Sequence, residues 1–591
     1  MTSQKMSTMN QISNDLIAEC KAIIDDHSFL SRDLTDRIGS LPLGIRKTVV
    51  DRQPEGECSP LFIACNQGNI RIIEYLITVC AASSDQTSYH VSEDGLMGNI
   101  TPLGNACASG NILVVQRLLR LGCDVEGPFE DGLTPLQIAC RWSNLTVVQE
   151  LIENGADLRK QSYDGTTCLM NAAQSMPLMS YLLNNGADVN VCNIYNRTAL
   201  HCSIERRSFE STCLLLEHGA DPFVQNSDGD DALQTACIYG EIETADFLMQ
   251  HFEYSAERQA DAYELIGSSL IDRFSDRQLT LKYWQKAHHI RSNGTSYLQK
   301  RPQPPSRFAF RDAFEFTTSE ELDEIAADDD ALRMQSMLIC DRILGIEHDE
   351  TLRRLMRWGF EYECNSNSEK CIDLWILALK GRIDKYSILL CETNETAQTI
   401  VRLMTKILEE RDDDADIDDL TLFEGALTVF KMLASNVIET SYLLDVQPVH
   451  LLQQQNYDQT IQCLTHLMHV LLSTSFCEDD DELIENEVRE LIQIRCSINK
   501  DTLLHLAVSS SNVLTRGYLR GDNSAPSIFP SLEVTELLIG CGADVNAYNE
   551  TNCTPLLIAS MDSNSDREVV ETLLDHGARY NAIEYFLSVY I

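Results

Sequence analysis

Thirteen histidines, 21 cysteines and 90 acidic side chains are the groups through which this 591-residue chain could do chemistry. Enzymes need a few such groups at fixed spacing. No G-x-x-x-x-G-K-[ST], H-E-x-x-H, G-x-S-x-G or zinc-spaced Cys/His set occurs. His288 and His289 have no acidic or cysteine partner nearby in sequence, and His201 and His505 stand in Thr-x-Leu-His phrases, where an imidazole ties adjacent turns together. There is no C-x-x-C. Cys65, Cys107, Cys140 and Cys237 share one place in a recurring phrase, as small apolar residues that pack, so reduced packing cysteines are expected. In the acidic run Glu409 to Asp419, Asp412, Asp414 and Asp416 have calcium-loop spacing. Ile417 occupies the position that needs glycine and Phe423 the one that needs glutamate, so the run reads as a solvated loop. No residue takes a catalytic role, no metal or cofactor is expected, and the chain reads as non-enzymatic.

The elements that must position any site are helical hairpins in series. SPLFIACNQGN at Ser59 returns as TPLGNACASGN at Thr101, TPLQIACRWSN at Thr134, TCLMNAAQS at Thr167, TALHCSIERRS at Thr198 and DALQTACIYGE at Asp231. Successive starts lie 42, 33, 33, 31 and 33 residues apart, and about 33 is the ankyrin period. The Thr or Ser hydroxyl caps the first helix, proline at its first position has the right φ, and the Ala-Cys pair keeps that helix thin. Gly155, Gly186 and Gly219 suit the left-handed end of the second helix. Two further copies, TLLHLAV at Thr502 and TPLLIAS at Thr554, form a short second array that needs something to pack on. The repeat from Thr167 to Gly186 spans 19 residues where its neighbours span 21, with Pro177 at the helix-to-helix turn. A local bend or shortening of the array is expected there. Tyr585, Phe586 and Val589 are read as an apolar face of the last repeat.

The formal charge of −44 disfavours nucleic acid and anionic membranes as partners and could steer basic ones. No run of 18 apolar residues is present and Met1 to Asn14 is polar, so a soluble, uncleaved protein is expected. Between the arrays, ADAYELIGSSLIDR and LTLKYWQKAHHIR read as two helices, followed by a proline-rich RPQPPSR. Gly359, Tyr362, Trp375 and Ala378 then recur in the manner of a tetratricopeptide hairpin, with Tyr362 and Trp375 in the core. The expected fold class is all-α. It comprises a helical N-terminal cap (1–58), ankyrin repeats (59–257), a helical hairpin (258–300), a linker (301–307), tetratricopeptide-like helices (308–400), a helical spacer with acidic loops (401–496) and C-terminal ankyrin repeats (497–591).

The segments LRMQSMLICDRILGIEHDET, AYELIGSSLIDR with KYWQKA, and FPSLEVTELLIGCGADVNAYNETNCTPLLIA together resemble the Feminization-1 family. The resemblance implies a substrate receptor of cullin-2 RING ubiquitin ligases. In that family the N-terminal repeats bind substrate C-termini, notably those with arginine near the end, and a C-terminal box binds elongin B/C and cullin-2. Some members act in sex determination. The expected compartment is the cytoplasm, or cytoplasm and nucleus. The nine-residue excess in the step from Ser59 to Thr101 lies in SYHVSEDGLMGN, and Asp94 matches the family's substrate-contacting acid, unless this Asp-Gly is an ordinary turn. Glu93 and Tyr89 are expected beside it.

Two departures shape the expectation. Where the family carries an arginine-reading aspartate, this chain has Trp142, preceded by Arg141. Arginine-ended clients should bind poorly unless another acid substitutes. Trp142 could make a cation–π contact, and Arg141 could meet a substrate carboxylate. The sequence also reaches Ile591 with no elongin-box pattern after Gly577. Two functions follow: a client receptor of the ligase, or an ankyrin scaffold or decoy uncoupled from it.

Overall fold

The threonine caps form as the phrases require. Thr101, Thr134 and Thr167 accept from the backbone N–H three residues on, at 3.1, 3.2 and 3.3 Å, and Ser59 and Asp231 do the same at 3.3 and 2.8 Å. Each cap starts a short first helix, and the chain turns into a second helix closed by glycine; Gly155, Gly186 and Gly219 have φ of +89°, +85° and +87°. The computed structural model describes residues 3–23, 28–54, 58–91, 97–127, 131–293, 298–300, 308–310, 313–410, 417–446, 449–514, 528–561 and 566–579. The linker 301–307, the aspartates of 412–416 and Tyr585, Phe586 and Val589 lie outside them.

The protein is all-α, and its contacts divide it into two units, residues 1–273 with 282–293, and residues 274–281 with 294–591. In the first unit the helices Ser3–Ala22, Arg32–Gly39 and Leu43–Val50 precede the stack, and the first of them packs on the opening repeat helix, Pro60–Gln67. The first helices of successive repeats pack side by side, with Ala64, Cys65, Ala106, Cys107, Ala139, Cys140, Ala236 and Cys237 buried between them. Cross-repeat hydrogen bonds fix the spacing. His201 binds Thr198 through Nδ1 at 2.9 Å and the carbonyl of Asp230 in the next turn through Nε2 at 3.0 Å, and burial holds its pKa below the ordinary histidine value. Gln137, two repeats earlier, bonds onward in the same way, donating to the carbonyls of Lys160 and Thr166.

The extra residues before Thr101 are more ordered than a loop. Ser88–Val91 and Met97–Ile100 pair antiparallel, Ser88 opposite Ile100 and Val91 opposite Met97, so the insertion contributes a two-stranded antiparallel pair. Beyond the last repeat, the helices Ala256–Phe274 and Arg277–Ser292 hold a fully buried guanidinium: Arg291 donates to Glu264 at 2.9 and 3.0 Å and to Asp261 at 2.6 Å. The Trp284 indole donates to the carbonyl of Glu264 at 3.0 Å.

The second unit is built from longer helices. Asp349–Cys364 and Ser368–Lys385 form a close hairpin in which Gly359 faces the buried Trp375, whose indole N–H reaches the carbonyl of Met356 at 2.9 Å. Tyr362 is buried in the same core. Cys391–Glu409, Asp419–Val446, Leu451–Thr474 and Glu478–Leu491 follow. The stretch Asp419–Leu444 is apolar and long enough to cross a membrane; here it buries Val429, Phe430, Leu433 and Val437 in the core of the unit. The second ankyrin array packs on Leu451–Thr474, through the Phe529 ring edge-on to His466 and through Asn512, which donates to Thr465 at 2.8 Å. His505 repeats the His201 pattern, bonding Thr502 at 2.7 Å and the carbonyl of Cys553 at 3.1 Å.

Two outcomes test these contacts. A methyl group at Gly359 would overlap the Trp375 indole, so Gly359→Ala is expected to destabilise by about 1–3 kcal/mol in chemical denaturation, with Trp375 emission reporting the looser core. Arg291→Met strands two buried carboxylates and is expected to cost about 3–5 kcal/mol, read as a lowered thermal midpoint.

Candidate peptide-binding groove

Between the turn tips and the first helices of the third to fifth repeats lies a groove of about 430 Å³. One side of it is made by the tips. In the tip 162–166, Gly165 adopts φ +79°, and its neighbour Asp164 accepts from the Ser162 hydroxyl at 2.5 Å and from the Thr166 N–H and hydroxyl at 3.0 and 2.8 Å. Burial pushes the Asp164 carboxyl up, but these hydrogen bonds outweigh it and hold its pKa below the ordinary aspartate value. Successive tips are laced by backbone bonds from Tyr163 to Asp131 (3.1 Å), Ile194 to Asp164 (2.9 Å) and Ser227 to Tyr195 (2.9 Å). This lacing leaves large apolar side chains standing in water: Tyr163 is 74% exposed, Ile194 66% and Tyr195 52%. Gly132 is required beside them, since its φ is +80° and a side chain there would overlap the Tyr163 ring.

The other side is the wall of first helices, and the repeat with two residues fewer interrupts it. Its first helix is only Cys168–Asn171, between Pro135–Arg141 and Ala199–Glu205, each of seven residues. Pro177 enters the second helix, Met176–Asn184, in its first turn. The shortening expected from the spacing is therefore taken from the groove-facing helix. The carbonyl of Asn171 accepts instead from Arg206, at 3.0 Å from Nη1.

Among the described residues, three guanidinium groups and three carboxylates line the groove: Arg141, Arg197 and Arg206 with Asp131, Asp164 and Glu205. Arg197 is paired to Glu205 at 2.5 Å. Arg141, exposed at the end of its helix, has no hydrogen-bond or ion-pair partner among the described residues. Cys202 also faces the groove, and burial pushes its thiol up to about 11, which keeps it protonated and a poor nucleophile.

Of the residues expected from sequence, Arg141 lies in the groove. Trp142 caps the same helix with φ −90°, is half-buried, and is not among the groove-lining residues. Tyr89 sits on the first strand of the β-hairpin opposite Asn99, and Glu93 and Asp94 lie outside the described residues. Sequence reading missed Asp131, Tyr163, Asp164, Tyr195, Arg197, Glu205 and Arg206. A signal was present: Arg141 and Glu205 both stand seven residues after their capping threonines, at the end of the first helix.

Stacked capped hairpins with a groove of exposed aromatic and charged side chains define an ankyrin-repeat protein of the protein-binding class, and residues 61–162 and 158–226 match the family described as "Ankyrin repeats", in three copies. Similarity to curated relatives extends further along the chain. Protein fem-1 homolog C of Homo sapiens is 30% identical over 354 residues, and that of Xenopus laevis 29% over 352, each alignment covering 59% of this chain and 55% of the relative. The chain thus spans about half the length of these first relatives. Protein fem-1 homolog A-like of Mus musculus is 28% identical over 602 aligned positions, covering 93% of this chain and 89% of the relative. The chain is thus similar to fem-1 homologs along most of its length and carries ankyrin repeats in its first array.

Because the folded-state pKa of Asp164 is depressed, its contribution is present at neutral pH and is lost as pH falls through and below the ordinary aspartate range. Asp164→Ala is therefore expected to lower the thermal midpoint at pH 7, with the gap to the parent chain closing in acid; a gap independent of pH would mean that the carboxylate does not hold this tip.

Proposed function

We propose that this chain is the client-binding subunit of a cullin-2 RING ubiquitin ligase, receiving a protein's C-terminal segment along the ankyrin groove. Similarity to fem-1 homologs, together with the ankyrin repeats, supports the adaptor role. The observation that carries the reading is an open groove holding an unpaired guanidinium, Arg141, beneath a rim of exposed Tyr163 and Tyr195. Its volume of about 430 Å³ suits a few residues of peptide, and tyrosine and arginine are the side chains that anchor most protein interfaces. The groove holds no activated nucleophile among the described residues, so the subunit's contribution is recognition, with ubiquitin transfer left to its partners. Elongin B/C and cullin-2 are the partners this reading requires, in cytoplasm or nucleus.

Quantitative affinity purification of the full chain from cells is the test. Stoichiometric recovery of elongin B/C and cullin-2 is expected. Their absence, with other proteins retained, would make the chain a scaffold or decoy uncoupled from ubiquitin transfer.

A further inference from the structure

We propose that the pocket where the hairpin of Asp349–Cys364 and Ser368–Lys385 meets the start of Cys391–Glu409 is a docking site for an internal acidic side chain of a partner protein, a Glu or Asp flanked by large apolar residues. The pocket has a volume of about 340 Å³ and belongs wholly to the second unit. One wall is the turn that leads into Cys391–Glu409, where Ser387 has φ +139°, a conformation that residues with a side chain rarely adopt. Three tethers hold the turn. The Tyr386 hydroxyl donates to Asp349 at 2.5 Å, Arg382 donates from Nη1 to the carbonyl of Glu392 at 2.6 Å and to the hydroxyl of Thr396, and Asn456 donates to the carbonyl of Leu389 at 2.8 Å. So fixed, the turn keeps two apolar side chains in water at the pocket, Tyr386 at 41% exposure and Leu390 at 37%. Leu352 adds a third from the first helix.

The charges of the pocket narrow the ligand. Arg382 is half-buried and has no carboxylate partner among the described residues; its two bonds go to neutral oxygens and leave Nε and Nη2 without an acceptor there. A guanidinium partly removed from water gains most from a carboxylate, which it grips in a two-pronged fork. The other groups are already answered: Arg353 pairs with Glu350, and Asp349 accepts from Lys385 at 3.0 Å as well as from Tyr386. Glu392, exposed at the same pocket, adds a negative charge, so a doubly charged phosphate would meet repulsion that a single carboxylate meets at half strength. A bare carboxylate would leave the apolar side chains unused. These come from two elements, Leu352 from a helix and Tyr386 and Leu390 from the turn, so an acid within a chain has an apolar neighbour to offer each. One acid among neutral residues is also not opposed by the field of a chain with formal charge −44, as an acid-rich segment would be.

The test is a two-by-two cycle on the purified full chain. The probe is a pool of fluorescein-labelled decapeptides with both ends blocked, a central Glu between Leu, Phe or Tyr residues, and neutral residues elsewhere. The best-retained peptide is resynthesised with Glu, Gln or phosphoserine at the centre, and each form is titrated by fluorescence anisotropy against the parent chain and R382Q. Gln is expected to weaken binding to the parent by about ten- to a hundredfold, R382Q to lose the same factor for the Glu peptide, and Gln to make no further difference in R382Q. Because R382Q also removes the bonds to Glu392 and Thr396, a second variant separates binding from folding. Leu390 is the N-cap residue of Cys391–Glu409 and makes no side-chain cap bond, and aspartate is a favoured N-cap, so Leu390→Asp is expected to keep or raise the thermal midpoint while its carboxylate abolishes retention of the Glu peptide. A pool with no retained peptide, equal affinity for Glu and Gln, a Gln loss as large in R382Q as in the parent, or full binding by Leu390→Asp would each overturn the proposal. Tighter binding of the phosphoserine form would overturn it too, by assigning the pocket to phosphate. The cycle uses only the chain and the peptide, so failure to recover elongin or cullin-2 from cells would sink the ligase reading and leave this one standing.

Discussion

A hairpin of two short helices has an apolar face it cannot bury alone, and that constraint governs the first unit of this protein. Each repeat is stable only against its neighbours, so every feature of the phrase serves contact between adjacent hairpins. Alanine and cysteine let the first helices approach, and Gln137 and His201 hydrogen-bond onward to the following turn. Threonine caps then start each helix at a repeatable place. Because the neighbours fix the positions of both ends, a repeat that loses two residues cannot slide to hide the loss. The missing turn falls on the groove-facing helix Cys168–Asn171, while the second helix, Met176–Asn184, keeps nine residues. A groove with a step in it follows from the same packing that makes the array stable.

The second unit solves the burial problem differently. Its helices, up to the 28 residues of Asp419–Val446, are long enough to share one continuous core. Close approach depends on single small residues such as Gly359 under Trp375, and some buried charges are held by ion pairs. Glu315, for example, is held between Arg342 at 2.7 Å and Lys300 at 3.0 Å. The second ankyrin array, with too few hairpins to stand alone, covers its apolar face against Leu451–Thr474 instead of against further repeats. Burial holds the imidazole of His466 neutral at that junction, with a pKa lowered to about 4, which suits an aromatic contact with Phe529.

How much of this was legible in the sequence depended on whether a residue's role is local. Caps, glycine ends and the Thr-x-Leu-His imidazoles depend on neighbours within a few positions or at the repeat period, and each of those readings is met by a hydrogen bond or a positive φ. The 19-residue spacing announced a shortened repeat, since a period makes a deletion visible. Its consequence was not legible, because which helix loses the turn is decided by packing on both sides. Nor was it legible that Arg141 would stand unpaired among the described residues while Arg197, also among charged neighbours, would find Glu205 eight residues on. Partner choice of that kind depends on where side chains point at a helix end. Trp142 illustrates the same limit: one residue from Arg141 in sequence, it is rotated about 100° around the helix and does not line the groove. The pairing of 88–91 with 97–100 was not legible because these strands, SYHV and MGNI, are too short for an alternating pattern to stand out.

The charge of the whole and the charge of the groove act over different distances, and their combination sets what can bind. The formal −44 creates a field that favours neutral or basic peptides as they approach, and salt damps it beyond about 8 Å under physiological conditions. Among the described residues that line the groove the count is balanced, three guanidinium groups against three carboxylates, so long-range attraction stops at the mouth and local pairing decides. Since Arg197 pairs with Glu205 and Asp164 is held by its own tip, the interactions still open among the described residues are donors on Arg141 and Arg206 and an acceptor on Asp131.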